Sequence, residues 1–217
     1  MFRQVRYTLV ADGSSDRMLL PLLAWTLGQI PALQDCRLDP QFAEPAVLRL
    51  EAPGLAGKIT ATERQYPCDL LFVHRDAEGE NREKRLQEID DAMSSFPHLP
   101  FVCLVPVRMS EAWLLIDADA IKRAADNPSS KASIDLPRLH ELEKLPDPKH
   151  VLRELLVEAS EFRGRRKDKF QRDLAWRCRR VAELIQDFSS LFQLTAFAAF
   201  QQETLHVVEK LLAKQGQ

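Results

Sequence analysis

Leu70-Leu71-Phe72-Val73-His74-Arg75-Asp76-Ala77-Glu78-Gly79 is the stretch on which the fold turns. Its first five residues, LLFVH, are an apolar run of strand length, and the run stops in a polar turn that carries two carboxylates. Working outward, residues 5–10 (VRYTLV) alternate and end at Ala11-Asp12-Gly13. Residues 47–50 form a short further run, and residues 101–107 (FVCLVPV) a fourth. Helical stretches are expected between them, at about 15–27, 58–66 and 81–94. Strands alternating with helices are the mark of βαβ units, so the expected class is α/β, Rossmann-like, with a mainly parallel sheet of about four strands flanked by helices.

After this half the chain changes character. The proline-marked polar stretch 127–148 separates an expected α/β domain (1–126) from a helical C-terminal extension (149–217), with helices expected at 149–160, 169–187 and 201–214. The 217 residues suffice for one α/β domain with such an extension. A hydrophobic fraction of 45%, a charged fraction of 29% and a net charge of -2 describe an ordinary globular chain and exclude an overall polycation.

Several chemistries are excluded by pattern. Cys36, Cys68, Cys103 and Cys178 show no C-x-x-C spacing and are expected to be reduced. No zinc-type histidine spacing, P-loop or G-x-S-x-G turn occurs. The start enters a strand pattern without a leader's apolar region, and no segment approaches about 20 apolar residues. A cytoplasmic protein, neither secreted nor membrane-spanning, is the expectation. Trp25 and Trp113 sit in apolar helical runs and read as core.

Right-handed crossovers bring the carboxyl ends of parallel strands to one edge, where α/β folds gather ligands. Acidic residues collect there: Asp12 and Asp16 after the first strand, Asp76, Glu78 and Glu80 after the third, and Glu111 after the fourth. Two carboxylates about 5 Å apart at an effective dielectric of about 20 repel by about 3 kcal/mol, which a hard cation such as Mg²⁺ relieves. Singly, each acid reads more readily as a helix-start residue, but capping does not require carboxylates after three different strands. Arg75 and Arg108, at the ends of the third and fourth strands, either clamp a phosphate or neutralise Asp76 and Glu111. His74 reads as a strand-end residue or, less readily, as a metal ligand.

At these residues the chain resembles the TOPRIM superfamily, whose pattern is an acidic residue and glycine after the first strand and an Asp-x-Asp-like pair after the third. Here these look like Asp12-Gly13 and Asp76-Ala77-Glu78, with Asp16 as a further acid. The likeness is closest to small stand-alone TOPRIM-like proteins related to the OLD-nuclease catalytic domain, through HRDAE and PVRMSEAWLL, and it extends to Asp147-Pro148-Lys149 and Gly164-Arg165-Arg166. Asp12 stands where the family usually has glutamate, and Glu78 where it has aspartate.

The resemblance implies a Mg²⁺- or Mn²⁺-dependent nuclease or phosphotransfer effector, a hydrolase working in anti-phage defence. Asp12, Asp16, Asp76 and Glu78 would be metal ligands, and Asp12, Asp76, Glu78 and Glu111 catalytic residues. The alternative it leaves is a non-catalytic TOPRIM-like module that docks on an ATPase partner encoded nearby. Nucleic acid and a second copy of the chain, as a homodimer, complete the expected partners.

A basic island, RGRRKDKFQRDLAWRCRR, spans residues 163–180. Arg163, Arg165, Arg166, Lys167 and Lys169 are its candidates for contact with a phosphate backbone, while Phe170, Leu174, Cys178, Val181 and Ile185 recur at helical spacing and mark a buried face. A solvated helix with ion pairs is the competing reading.

Overall fold

Alternation along β1 (Arg3–Val10) sorts its side chains between two interiors. Val5, Tyr7 and Leu9 enter one buried cluster and Val10 the other. The structure is a computed structural model that describes residues 3–77 and 81–215. β1 pairs in parallel with β2 (Cys36–Ala43) and with β3 (Leu70–His74), and β3 pairs in parallel with β4 (Phe101–Leu104). The sheet order is β2-β1-β3-β4. Val10 stands opposite both Ala43 and Val73, and His74 opposite Leu104, so the four carboxyl ends share one edge.

Helix α1 (Leu20–Gly28) packs on the face of Val5, Tyr7 and Leu9. Helices α2 (Gly54–Gln65) and α3 (Arg82–Met93) pack on the opposite face, with Val10, Leu71, Val73 and Cys103. The chain therefore leaves β1 and β3 toward opposite faces of the sheet, which opens a crevice between them at the carboxyl edge.

The remaining helices are α4 (Ala118–Ala124), α5 (Pro148–Ser160), α6 (Arg165–Arg172), α7 (Leu174–Leu184) and α8 (Thr195–Gln215). Leu152 and Leu156 of α5, Val181 of α7 and Phe197 and Phe200 of α8 belong to the same buried cluster as Tyr7 and Leu9. An aromatic chain runs through it: Tyr7 to Phe72 at 5.8 Å, Phe72 to Phe200 at 6.1 Å, and Phe200 to Trp113 at 6.3 Å between ring centroids. On the edge strand β4, Glu203 of α8 accepts the Cys103 N–H at 3.0 Å and satisfies a donor that no strand reaches. Among the described residues the four cysteines are free, and no helix is long and apolar enough to cross a membrane.

Local departures from expectation have physical causes. The second strand is 36–43 rather than 47–50, and Val47 and Leu50 are exposed. β2 is an edge strand with Arg37, Asp39, Pro40 and Gln41 in it, and only an edge tolerates proline and shows so little apolar signal. β4 stops at Leu104, ahead of Pro106, which has no N–H to continue a ladder. The helix expected at 169–187 is broken at Asp173 into α6 and α7.

Because sheet and C-terminal helices bury their apolar faces in one cluster, Phe200→Ala should lower the unfolding free energy by about 3–5 kcal/mol. Urea denaturation followed by tryptophan fluorescence and by far-UV circular dichroism should show one coincident transition for wild type and variant. An earlier, separate loss of helix would contradict the shared core.

Candidate active site

The turn after β1 carries Asp12 and Asp16 in different surroundings. Asp16 is buried and folded back on its own turn, accepting the Gly13 N–H at 3.0 Å and lying 3.3 Å from the Ser15 hydroxyl. Asp12 points to the α2 and α3 side, with Lys58 Nζ at 2.6 Å and Arg75 Nε at 2.9 Å. Arg75 also bonds Glu88 of α3 at 2.9 Å, so this side of the edge is a network of ion pairs. Arg75 thus neutralises Asp12 and Glu88 and not Asp76.

Asp76 faces the other way. Its Oδ1 accepts the Ser110 N–H at 3.1 Å and lies 3.4 Å from His74 Nε2. Burial pushes the Asp76 carboxyl up to about 6; the charges of Asp16 and Glu111 push in the same direction, while His74 and the Ser110 N–H oppose them. Asp16, Asp76 and Glu111, which follow three different strands, therefore share one electrostatic environment. Glu111 is buried in the turn Ser110–Leu114, and the ammonium of Lys149 on α5 stands 3.6 Å from it. Asp147 accepts the His150 N–H and Pro148 opens the helix, an N-terminal arrangement that fixes where Lys149 projects.

Two buried polar atoms on this side have no hydrogen-bond partner among the described residues: His74 Nε2 and Ser110 Oγ. His74 is 1% exposed. Unsatisfied buried groups are uncommon in folded proteins, and a bound ion is one way such atoms gain a partner. Among the described residues no three His, Cys, Asp or Glu side chains are close enough to hold one ion together. Mg²⁺ nevertheless takes only one or two carboxylates and fills its shell with water, so the donors present fit such an ion. Glu78 and Glu80 lie outside the described residues.

The chain matches no family model, no curated protein and no solved structure. What the site can do therefore follows from its own geometry. Arg108, half-buried after β4, makes no ion pair with any described residue.

The basic island divides. Arg177 is buried, bonds Ala124 O at 2.7 Å and Asp126 at 2.8 Å, and lies 4.0 Å over the Phe170 ring, all of them structural contacts. Arg179 and Arg180 share Glu183 at 3.1 and 2.9 Å. Arg163, Arg165, Arg166, Lys167 and Lys169 are exposed and make no ion pair among the described residues, Arg166 resting 5.6 Å from the Phe162 ring. Trp176, 56% exposed, follows them on α7.

The roles of Lys58, Lys149 and Ser110 escaped sequence reading, since nothing local marks a lysine that pairs across the fold or an amide that meets a distant carboxylate. His74 carried a signal: it lies two residues before Asp76, the spacing that places side chains on one side of an extended chain.

The raised Asp76 carboxyl has a stability consequence. Its folded value exceeds the unfolded one of about 3.9, so the folded state holds a proton that the unfolded state releases, and stability is lost as pH rises from about 4 to 6, by about 3 kcal/mol. Asp76→Asn keeps an acceptor for the Ser110 N–H and removes the charge. Urea unfolding should find the variant more stable at pH 7 and equal to wild type at pH 4; equal stability at both pH values would remove the desolvated carboxylate.

Proposed function

We propose that the carboxyl edge between β1 and β3 is a phosphodiester-hydrolysing site, making the protein a Mg²⁺- or Mn²⁺-dependent nuclease of TOPRIM type. Its support is the convergence of Asp16, Asp76 and Glu111 at the crevice where the chain leaves adjacent strands toward opposite faces, with a raised carboxyl at the centre. Asp16 and Asp76 would hold the cation. When bound, it supplies an activated water and positive charge against the leaving oxygen. Glu111, kept near Lys149, would take the water's proton, and Arg108, half-buried after β4, would hold a phosphate oxygen. Asp12 is already balanced by Lys58 and Arg75, so its part is to hold Arg75 rather than a metal.

Single-stranded nucleic acid is the proposed substrate class. Exposed cations from Arg163 to Lys169 supply backbone attraction, and Trp176 offers an aromatic face on which a base can stack. The balanced state of Asp12 favours one other reading, a module that binds an ATPase partner without catalysis.

Incubation with plasmid, single-stranded DNA and RNA, with and without Mg²⁺ or Mn²⁺, separates the two. Metal-dependent cleavage should fall about 100-fold or more in Asp76→Asn. Bound metal without cleavage of any substrate would support the docking module.

Affinity is tested apart from cleavage. Arg165→Ala with Arg166→Ala should weaken single-strand binding and reduce the slope of log affinity against log salt by about 1.4, or about 0.7 per lost contact. Trp176→Ala should weaken binding by about 1–3 kcal/mol with the slope unchanged. Unchanged affinity in both variants would make this surface a solvated helix.

A further inference from the structure

His74 ends β3 with its ring in the interior, 1% exposed. Its Nδ1 is 2.9 Å from the carbonyl oxygen of Leu104 on β4. A carbonyl only accepts, so Nδ1 carries a proton, and in its neutral form the ring presents a lone pair at Nε2. That lone pair has no donor among the described residues and faces Asp76 Oδ1 at 3.4 Å. Two lone-pair atoms so placed, the nitrogen buried and the carboxylate half-buried, repel unless a proton or a cation lies between them.

The spacing fits a cation. Neighbouring donors at about 2.1–2.2 Å from one ion, at right angles, are about 3 Å apart. A ring that donates Nδ1–H to a backbone carbonyl and offers Nε2 is also how proteins commonly orient a metal-binding histidine. We propose that His74 Nε2 and Asp76 Oδ1 ligate one divalent cation together, and that the nitrogen donor makes the site prefer a first-row transition ion such as Mn²⁺ over Mg²⁺. The inference deepens the metal-site reading of this edge and rests on it. Carboxylates and water suit Mg²⁺ and Mn²⁺ alike, whereas imidazole suits transition ions and leaves hard Mg²⁺, which dehydrates reluctantly, at a disadvantage.

The test is Mn²⁺ binding to the full chain, followed by loss of the free-ion electron paramagnetic resonance signal, with pulsed measurement of ¹⁴N coupling on the bound ion. Wild type should bind Mn²⁺ with the coupling of a directly bound imidazole, and displacing it should take about tenfold or more Mg²⁺ over Mn²⁺. His74→Asn keeps a side-chain N–H for the Leu104 carbonyl and deletes Nε2. It should lose the ¹⁴N coupling and about tenfold or more of its Mn²⁺ affinity while Mg²⁺ affinity holds. Should that variant not fold, the wild-type ¹⁴N spectrum decides. Bound Mn²⁺ without ¹⁴N coupling, or coupling retained in the variant, overturns the role of His74 and leaves a carboxylate site standing. Failure of wild type to bind either ion overturns the metal-site reading and this inference with it.

Discussion

Parallel pairing of β1 with β3 is the constraint on which the rest depends. It places Val10 opposite Val73, so the turns that follow both strands emerge side by side, and α1 and α3 then carry the chain to opposite faces. Backbone hydrogen bonding thereby gathers Asp16 and Asp76, far apart in sequence, at the carboxyl edge between the two strands. The helical half closes around the same arrangement: Trp113, in the turn that carries Glu111, packs on Phe197 and Phe200 of α8, and α5 presents Lys149 to Glu111.

Charge is distributed unevenly along that edge. On the α2 and α3 side, Asp12 and Glu88 each meet two of the cations Lys58, Arg75 and Arg85. On the other side Asp16 and Glu111 are buried and Asp76 is half-buried, and the Lys149 ammonium lies within ion-pair reach of Glu111. Burying several carboxylates close together costs free energy, and sites of this kind are where function is commonly found. The unsatisfied His74 and Ser110 atoms lie on this same side.

Legibility of the helical half followed the same division between local and distant causes. The apolar spacing of Phe170, Cys178, Val181 and Ile185 marked the buried face correctly, because helical periodicity is local. It did not mark the break at Asp173, nor that Arg177 turns inward to Asp126 and the Ala124 carbonyl, since those partners come from α4 and its C-terminal turn. Asp147-Pro148-Lys149 was visible as a motif, and its meaning waited for Glu111 to appear opposite it.

By itself the sequence determined the α/β class, the position of β1 and β3 and the acidic turns after them, because strand burial and turn chemistry are written in runs of about five to ten residues. β2 stayed hidden, since an edge strand with Pro40 buries little and leaves a weak pattern. Which of the two acids in the first turn shares surroundings with Asp76 was a tertiary decision. Asp12 and Asp16 stand on one turn, yet Lys58 and Arg75 claim the first, while the second shares an environment with Asp76 and Glu111. A carboxylate's role depends on the charges and the solvent around it, and only the folded chain brings those together.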